Sequence, residues 1–159
     1  MRLHLPDSGA TDALARILAH SQPTPAVVHL QGDLGAGKST LARAWLRALG
    51  VTGAVRSPTY TLVERYQLAG GREALHLDLY RIAGASELEF LGLDDAQAAL
   101  WLIEWPERGG SALIAPDLRI ELAVAAAGRA CRLQPVSQAG VDWLSSKSAS
   151  DSLRQFAEP

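Results

Sequence analysis

Cysteine is almost missing from this chain: Cys131 stands alone in 159 residues. One thiol excludes an internal disulfide and fits a reducing cytoplasm, the compartment expected for this protein. Long apolar runs are missing too. No stretch approaches the roughly 20 residues a membrane helix needs, so no spanning segment is expected. The opening Met1-Arg2-Leu3-His4 meets Pro6 and Asp7 without the apolar core of a secretory signal. Charge of one sign is equally scarce. The formal net charge is −2, and the 15 lysines and arginines are scattered, with no aromatic-rich RNA-binding pattern among them. That excludes a general attraction to nucleic acid or anionic membrane, so RNA has to be brought by a local patch or a partner. There is no internal repeat and no sign of a second globular unit. With 48% hydrophobic and 20% charged residues, the chain suffices for one core without disulfide or metal staples.

What the chain does have is Gly32-Asp33-Leu34-Gly35-Ala36-Gly37-Lys38-Ser39, followed by Thr40. The pattern G-x-x-x-x-G-K-[ST] binds phosphate. Its glycines let backbone N–H groups crowd around phosphate oxygens, where side chains would obstruct them. Asp33, Gly35, Ala36, Gly37, Lys38, Ser39 and Thr40 are therefore the expected nucleotide contacts. Lys38 supplies a point charge to the terminal phosphates, and the Ser39 hydroxyl is expected on magnesium. The flanks agree. Ala26 to Leu30 reads as a short buried strand, and Leu41, Ala44, Trp45, Ala48 and Leu49 share one face of a helix that stops at Gly50. A helix N-terminus adds its dipole to such a site.

Around this unit, Met1 to Leu5 predicts a short edge strand, and Asp7 or Ser8 caps a helix carrying Ala10, Leu14, Ile17 and Leu18. Thr59 to Leu68 and Glu73 to Tyr80 predict an antiparallel hairpin turning at Ala69-Gly70-Gly71-Arg72. Ala85 to Leu93 predicts a short helix capped by Ser86, and Asp94 to Ala99 another helical turn. Leu100 to Ile103 predicts a buried strand ending at Glu104. A second hairpin is expected over Leu118 to Pro135, with the last helix at Val141 to Leu144. The serine-rich stretch beyond is expected to be mobile.

A magnesium nucleotide site also needs a carboxylate at the end of a neighbouring strand. Glu104 follows its apolar run directly. Asp78 lies in His76-Leu77-Asp78-Leu79-Tyr80, where alternation puts His76, Asp78 and Tyr80 on one face. The hydroxyls of Ser57-Pro58-Thr59-Tyr60-Thr61 resemble a switch that follows the γ-phosphate and its metal. Trp105 stands between Glu104 and Pro106, in place to stack on nucleotide or partner, although an aromatic beside proline more often serves only packing.

At these residues the chain resembles a known family. The loop through Thr40, Ser57-Pro58-Thr59-Tyr60-Thr61-Leu62-Val63-Glu64-Arg65-Tyr66, His76-Leu77-Asp78-Leu79-Tyr80-Arg81, Glu87-Leu88-Glu89-Phe90-Leu91-Gly92-Leu93 and Leu102-Ile103-Glu104-Trp105-Pro106-Glu107-Arg108 have the order and spacing of the TsaE (YjeE-type) ATPases. The resemblance runs from about Leu3 to Leu122. It implies a bacterial cytoplasmic ATPase, required for threonylcarbamoyladenosine formation in tRNA, that acts with the TsaD and TsaB proteins. By position it implies phosphate and magnesium roles for Lys38, Ser39 and Thr40, and a metal-linked role for Glu104. It makes Asp78 the second acidic residue and sets Trp105 near the nucleotide. Thr59 and Thr61 fall in a first mobile segment, Arg81 to Glu89 in a second.

The expectation is thus an α/β protein: one phosphate-loop domain over residues 1–144, a mixed central β-sheet flanked by helices, and a mobile serine-rich tail over 145–159. It hydrolyses ATP weakly with magnesium, activated by its partners, and meets tRNA only through their complex. Lys38, Asp78 and Glu104 are the catalytic candidates, Ser39 and Glu104 the metal ligands. Arg65, Arg81 and Arg108 are the candidates for an internal arginine finger. The rival readings are a small-molecule kinase using the same loop and a nucleotide-gated binding module without useful turnover.

Overall fold

The computed structural model describes residues 1–158. Seven strands and four helices follow one another as β1 (Arg2–Leu5), α1 (Ser8–Ser21), β2 (Ala26–Gln31), α2 (Lys38–Ala48), β3 (Val63–Gln67), β4 (Glu73–Asp78), β5 (Leu100–Glu104), β6 (Leu118–Val124), β7 (Arg129–Pro135), α3 (Gln138–Ser145) and α4 (Lys147–Leu153). Local chemistry sets many of the boundaries. Asp7 caps α1, accepting from the Ala10 N–H at 2.8 Å. Helix α2 starts at Lys38, directly after Gly37 at φ 109°, a turn that a residue with a Cβ rarely makes.

All strands join one sheet in the order β1-β7-β6-β2-β5-β4-β3. The central strands β6, β2, β5 and β4 are parallel; β7 and β3 run antiparallel to their neighbours, and β1 antiparallel to β7. This is the mixed sheet expected, with β1 at its edge. Parallel strands are buried on both faces, and here the two faces differ. Val28, Leu30, Leu100 and Leu102 pack with Leu14, Leu18, Leu41 and Trp45 of α1 and α2. Val27, Leu75, Leu77, Trp101 and Ile103 point the other way, under short 3₁₀ turns at Ala85–Leu91 and Gly110–Ala112. Alternation therefore carries His76, Asp78 and Glu104 to the side where α2 begins.

Four sequence expectations change. The strand predicted from Thr59 starts only at Val63, because Pro58 to Thr61 form turns and Leu62 sits at φ 65°. No helix forms over residues 94–99, and Ala85–Leu91 is 3₁₀, entered from Gly84 rather than capped by Ser86. The expected mobile tail is also different. Residues 147–153 form α4, and Ala149, Leu153 and Phe156 are buried beside α1. Serine-rich composition hid three apolar anchors spaced to share one helix face. The last tail residue, Pro159, lies outside the described residues.

Candidate functional site

The loop between β2 and α2 takes its shape from contacts on both sides. At Gly32, a Cβ would lie 2.2 Å from the Leu122 carbonyl oxygen, so only glycine lets the chain leave β2 this close to β6. The Ala36 side chain is buried and contributes only backbone to any ligand. Gly35 and Gly37 take positive φ with no atom near their would-be Cβ positions. They line a cleft of about 320 Å³ together with Lys38, Ser39, Thr40, Thr59, Asp78, Glu104 and Arg129. A larger cleft of about 490 Å³, lined by Leu88, Glu89, Asp94 and Trp101 among others, lies at the Ala85–Leu91 turn and includes no residue of the glycine loop. The smaller cleft holds the convergent polar groups that mark a binding site.

Lys38 is not an exposed loop lysine. It is 5% exposed, and its Nζ donates to the carbonyls of Gly32 and Asp33. The ammonium also lies 4.2 Å from the centre of the Trp105 ring. Burial draws its pKa down, opposed by the carboxylates of Glu104, Glu107, Asp78 and Asp33. Trp105 reaches this position from a left-handed backbone at φ 57°, a conformation that costs a non-glycine residue on the order of 1–3 kcal/mol. Its indole packs on Tyr80 at 4.9 Å and covers Lys38 instead of lining the cleft.

The two candidate carboxylates end adjacent parallel strands, with Asp78 in register with Glu104. Their partners differ. Glu104 Oε2 accepts the Ser39 hydroxyl at 2.9 Å, and Oε1 lies 2.8 Å from His76 Nε2. His76 is fully buried, and its Nδ1 has no partner among the described residues. The ring thus fixes the carboxylate that faces Ser39. Asp78 instead accepts the Tyr80 N–H at 3.0 Å and the Thr59 hydroxyl at 3.3 Å. Its own N–H donates to the Leu62 carbonyl at 3.0 Å. Asp78 is therefore tied to the segment read as a switch. Thr61 is turned away, donating to Glu64 at 3.0 Å.

Ser39 and Glu104 offer the hard oxygen donors that magnesium takes. No group of three or more His, Cys, Asp or Glu side chains is arranged as a metal cage among the described residues. Of the sequence candidates for an internal arginine, only Arg81 lines the cleft, its guanidinium 4.4 Å over Tyr60. Arg65 pairs with Glu73 at 3.2 Å, and Arg108 lies 5.5 Å over Tyr80. Sequence reasoning passed over Arg129, and nothing in its local sequence signals a place beside a loop some 90 residues earlier. Alternation places His76 on the face of Asp78, but its contact with Glu104 crosses to the neighbouring strand.

Residues 5–132 match the family described as threonylcarbamoyl adenosine biosynthesis protein TsaE. A protein of Haemophilus influenzae, named tRNA threonylcarbamoyladenosine biosynthesis protein TsaE, is 48% identical over 98 residues, or 60% of this chain and 61% of that protein. That match spans less than two thirds of the Haemophilus protein. Its namesake in Synechocystis is 41% identical over 114 residues, covering 68% of this chain and 71% of that one. The crystal structure of YdiB from Bacillus subtilis superposes with a TM-score of 0.68 at 26% identity, over 98% of this chain and 95% of that one.

Proposed function

This chain belongs to the TsaE family, and we propose that it binds and hydrolyses ATP with magnesium in the biosynthesis of threonylcarbamoyladenosine in tRNA. The observation that carries the reading is the Ser39 hydroxyl on the Glu104 carboxylate, at the mouth of a glycine loop. That is the oxygen pair a magnesium nucleotide needs where its phosphates lie. Magnesium, when bound there, neutralises charge on the phosphate oxygens. The rest falls to the chain. Loop amides and Lys38 bind and orient the phosphates, while His76 holds Glu104 in its rotamer. Asp78 is placed to orient the attacking water and to sense the γ-phosphate through Thr59.

Turnover by the isolated chain is slow, because beyond Lys38, Arg81 and Arg129 no described cation lines the cleft to meet charge at the γ-phosphate. We place the missing stabilisation with the partner proteins TsaD and TsaB, in the cytoplasm. The kinase reading draws no support from residues 82–95, a segment with four acidic side chains and no arginine to close over an acceptor. Phosphate release with and without TsaD and TsaB tests the proposal. Slow release accelerated by the partners is expected. Transfer of phosphate to a small alcohol, or no release in any mixture, overturns it.

A further inference from the structure

Arg129 opens β7, paired with Val124 of β6 on one side and Leu5 of β1 on the other. Its placement is rigid. The preceding Gly128, at φ 77°, lies so close to β1 that a Cβ would come within 2.0 Å of the Leu5 carbonyl oxygen. From that base the guanidinium reaches across to the phosphate loop. Nε donates to the Ala36 carbonyl at 3.1 Å, Nη2 to the Gly35 carbonyl at 3.2 Å, and Nη1 to the Gly128 carbonyl at 2.8 Å.

The two loop carbonyls belong to successive peptide planes, 35–36 and 36–37. In a trans peptide the C=O and N–H point in opposite directions, so fixing one end aims the other. Holding the Ala36 oxygen aims the Gly37 N–H, and holding the Gly35 oxygen aims that of Ala36. The Ala36 N–H donates to the Asp33 carbonyl at 3.1 Å and closes the loop. The Gly37 N–H belongs to the residue that lines the cleft. A guanidinium carries five N–H donors in a fixed fork, and three are spent here. Arg129 also lines the cleft that Lys38 lines, and two of its donors remain. Flexible glycines alone do not hold such a cradle in one shape. A strand-borne arginine does.

We infer that Arg129 is a nucleotide-positioning residue: it clasps the phosphate loop from β7 and adds a second cation for the diphosphate that ATP and ADP share. The inference rests on the nucleotide reading above. Because the clasp shapes the loop around the diphosphate of ATP and ADP alike and does not touch the γ-phosphoryl group, its main effect is uniform binding, which raises affinity more than it changes the chemical step.

The test is titration calorimetry of ADP and ATP against wild type, Arg129→Ala and Arg129→Lys, with steady-state phosphate release. Arg129→Ala is expected to weaken both nucleotides alike, by about tenfold, raising KM with kcat within about twofold. Arg129→Lys keeps the charge without the fork and is expected to recover part of the loss. A merely structural arginine would not produce equal losses for both nucleotides with an unchanged kcat. Wild-type affinity in Arg129→Ala overturns the inference, as does a loss confined to ATP or to kcat. Should thermal melting show that the alanine variant is unfolded, Arg129→Lys decides: wild-type affinity for ADP overturns the clasp, and a severalfold loss supports it. If wild type itself binds neither nucleotide, the nucleotide reading falls and takes this one with it. If wild type binds and the variants match it, this inference alone falls.

Discussion

Two carboxylates sit on neighbouring strand ends, and their hydrogen bonds separate their work. Glu104 is held between His76 and Ser39, while Asp78 holds Thr59 and the Leu62 backbone. Glu104→Gln is therefore expected to need more magnesium to reach half-maximal nucleotide binding. Asp78→Asn is expected to bind magnesium nucleotide normally and to lose turnover. Titrating magnesium against a fluorescent ATP analogue separates the two, and the opposite pattern would exchange the roles. His29 gives a pH dependence of another kind. It is buried with Nε2 3.0 Å from the Ile114 carbonyl. Burial lowers its pKa from 6.5; the Ile114 contact opposes this and Arg119 adds to it. Below its ordinary value the unfolded chain takes up a proton that the folded chain resists. Stability must then fall as pH drops through the window beneath 6.5. Melting temperatures between about pH 7.5 and 5.5 should show that slope. In His29→Gln, which keeps a donor for Ile114 but cannot ionise, the slope should flatten.

At the scale of elements, the helices on the loop side of the sheet are stitched by buried tryptophans. Trp45 of α2 donates to Gln22 at 2.7 Å and meets Trp143 of α3 edge to face at 5.9 Å; Trp143 donates to Ser21 at 2.9 Å. Helix α4 extends this layer. Ser146 caps it, accepting from the Ala149 N–H at 3.3 Å, and Leu153 is fully buried. Beyond it, Ala157 forms an isolated bridge to Leu3 of β1. Leu153→Ala should accordingly destabilise the protein by about 2–5 kcal/mol, the range for a truncated core leucine. Urea denaturation measures it, and a loss below about 0.5 kcal/mol would match a surface position instead. Nucleotide affinity should be unaffected, because α4 packs on α1 and α3 and contributes no residue to the cleft.

Over the whole molecule, two aromatics are largely exposed among the described residues. Tyr60 is 81% exposed beneath Arg81, and Phe90 is 87% exposed on the Ala85–Leu91 turn. Tyr60 belongs to the first segment read as mobile, which Thr59 links to Asp78, and Phe90 directly follows the second, Arg81 to Glu89. Partner binding is therefore expected to depend on the nucleotide. Pull-downs with TsaD and TsaB in ATP, ADP and no nucleotide check this, and equal capture in all three states would overturn it. Free tRNA should bind weakly at physiological salt, since a net charge of −2 with scattered cations releases few counterions. Tight, salt-resistant binding in a filter assay would contradict that expectation.

The sequence by itself determined the parts that depend on neighbours along the chain. The glycine loop, β2 before it and α2 after it are local: turn chemistry, an apolar run and a helical period lie within about 25 residues. Glu104 was legible as a strand-end carboxylate for the same reason, and so was the hairpin of β6 and β7. Whether α4 formed was a closer contest, because its serines outnumber the apolar anchors that only a partner face rewards. The tertiary structure alone decided which strands are neighbours. The order β6-β2-β5-β4 brings His76 to Glu104 and Thr59 to Asp78. Closing the sheet with β1 and β7 delivers Arg129 to carbonyls 93 and 94 residues away in sequence. Strand order follows from burying both faces of the sheet at once, a condition on the whole chain that no local pattern records.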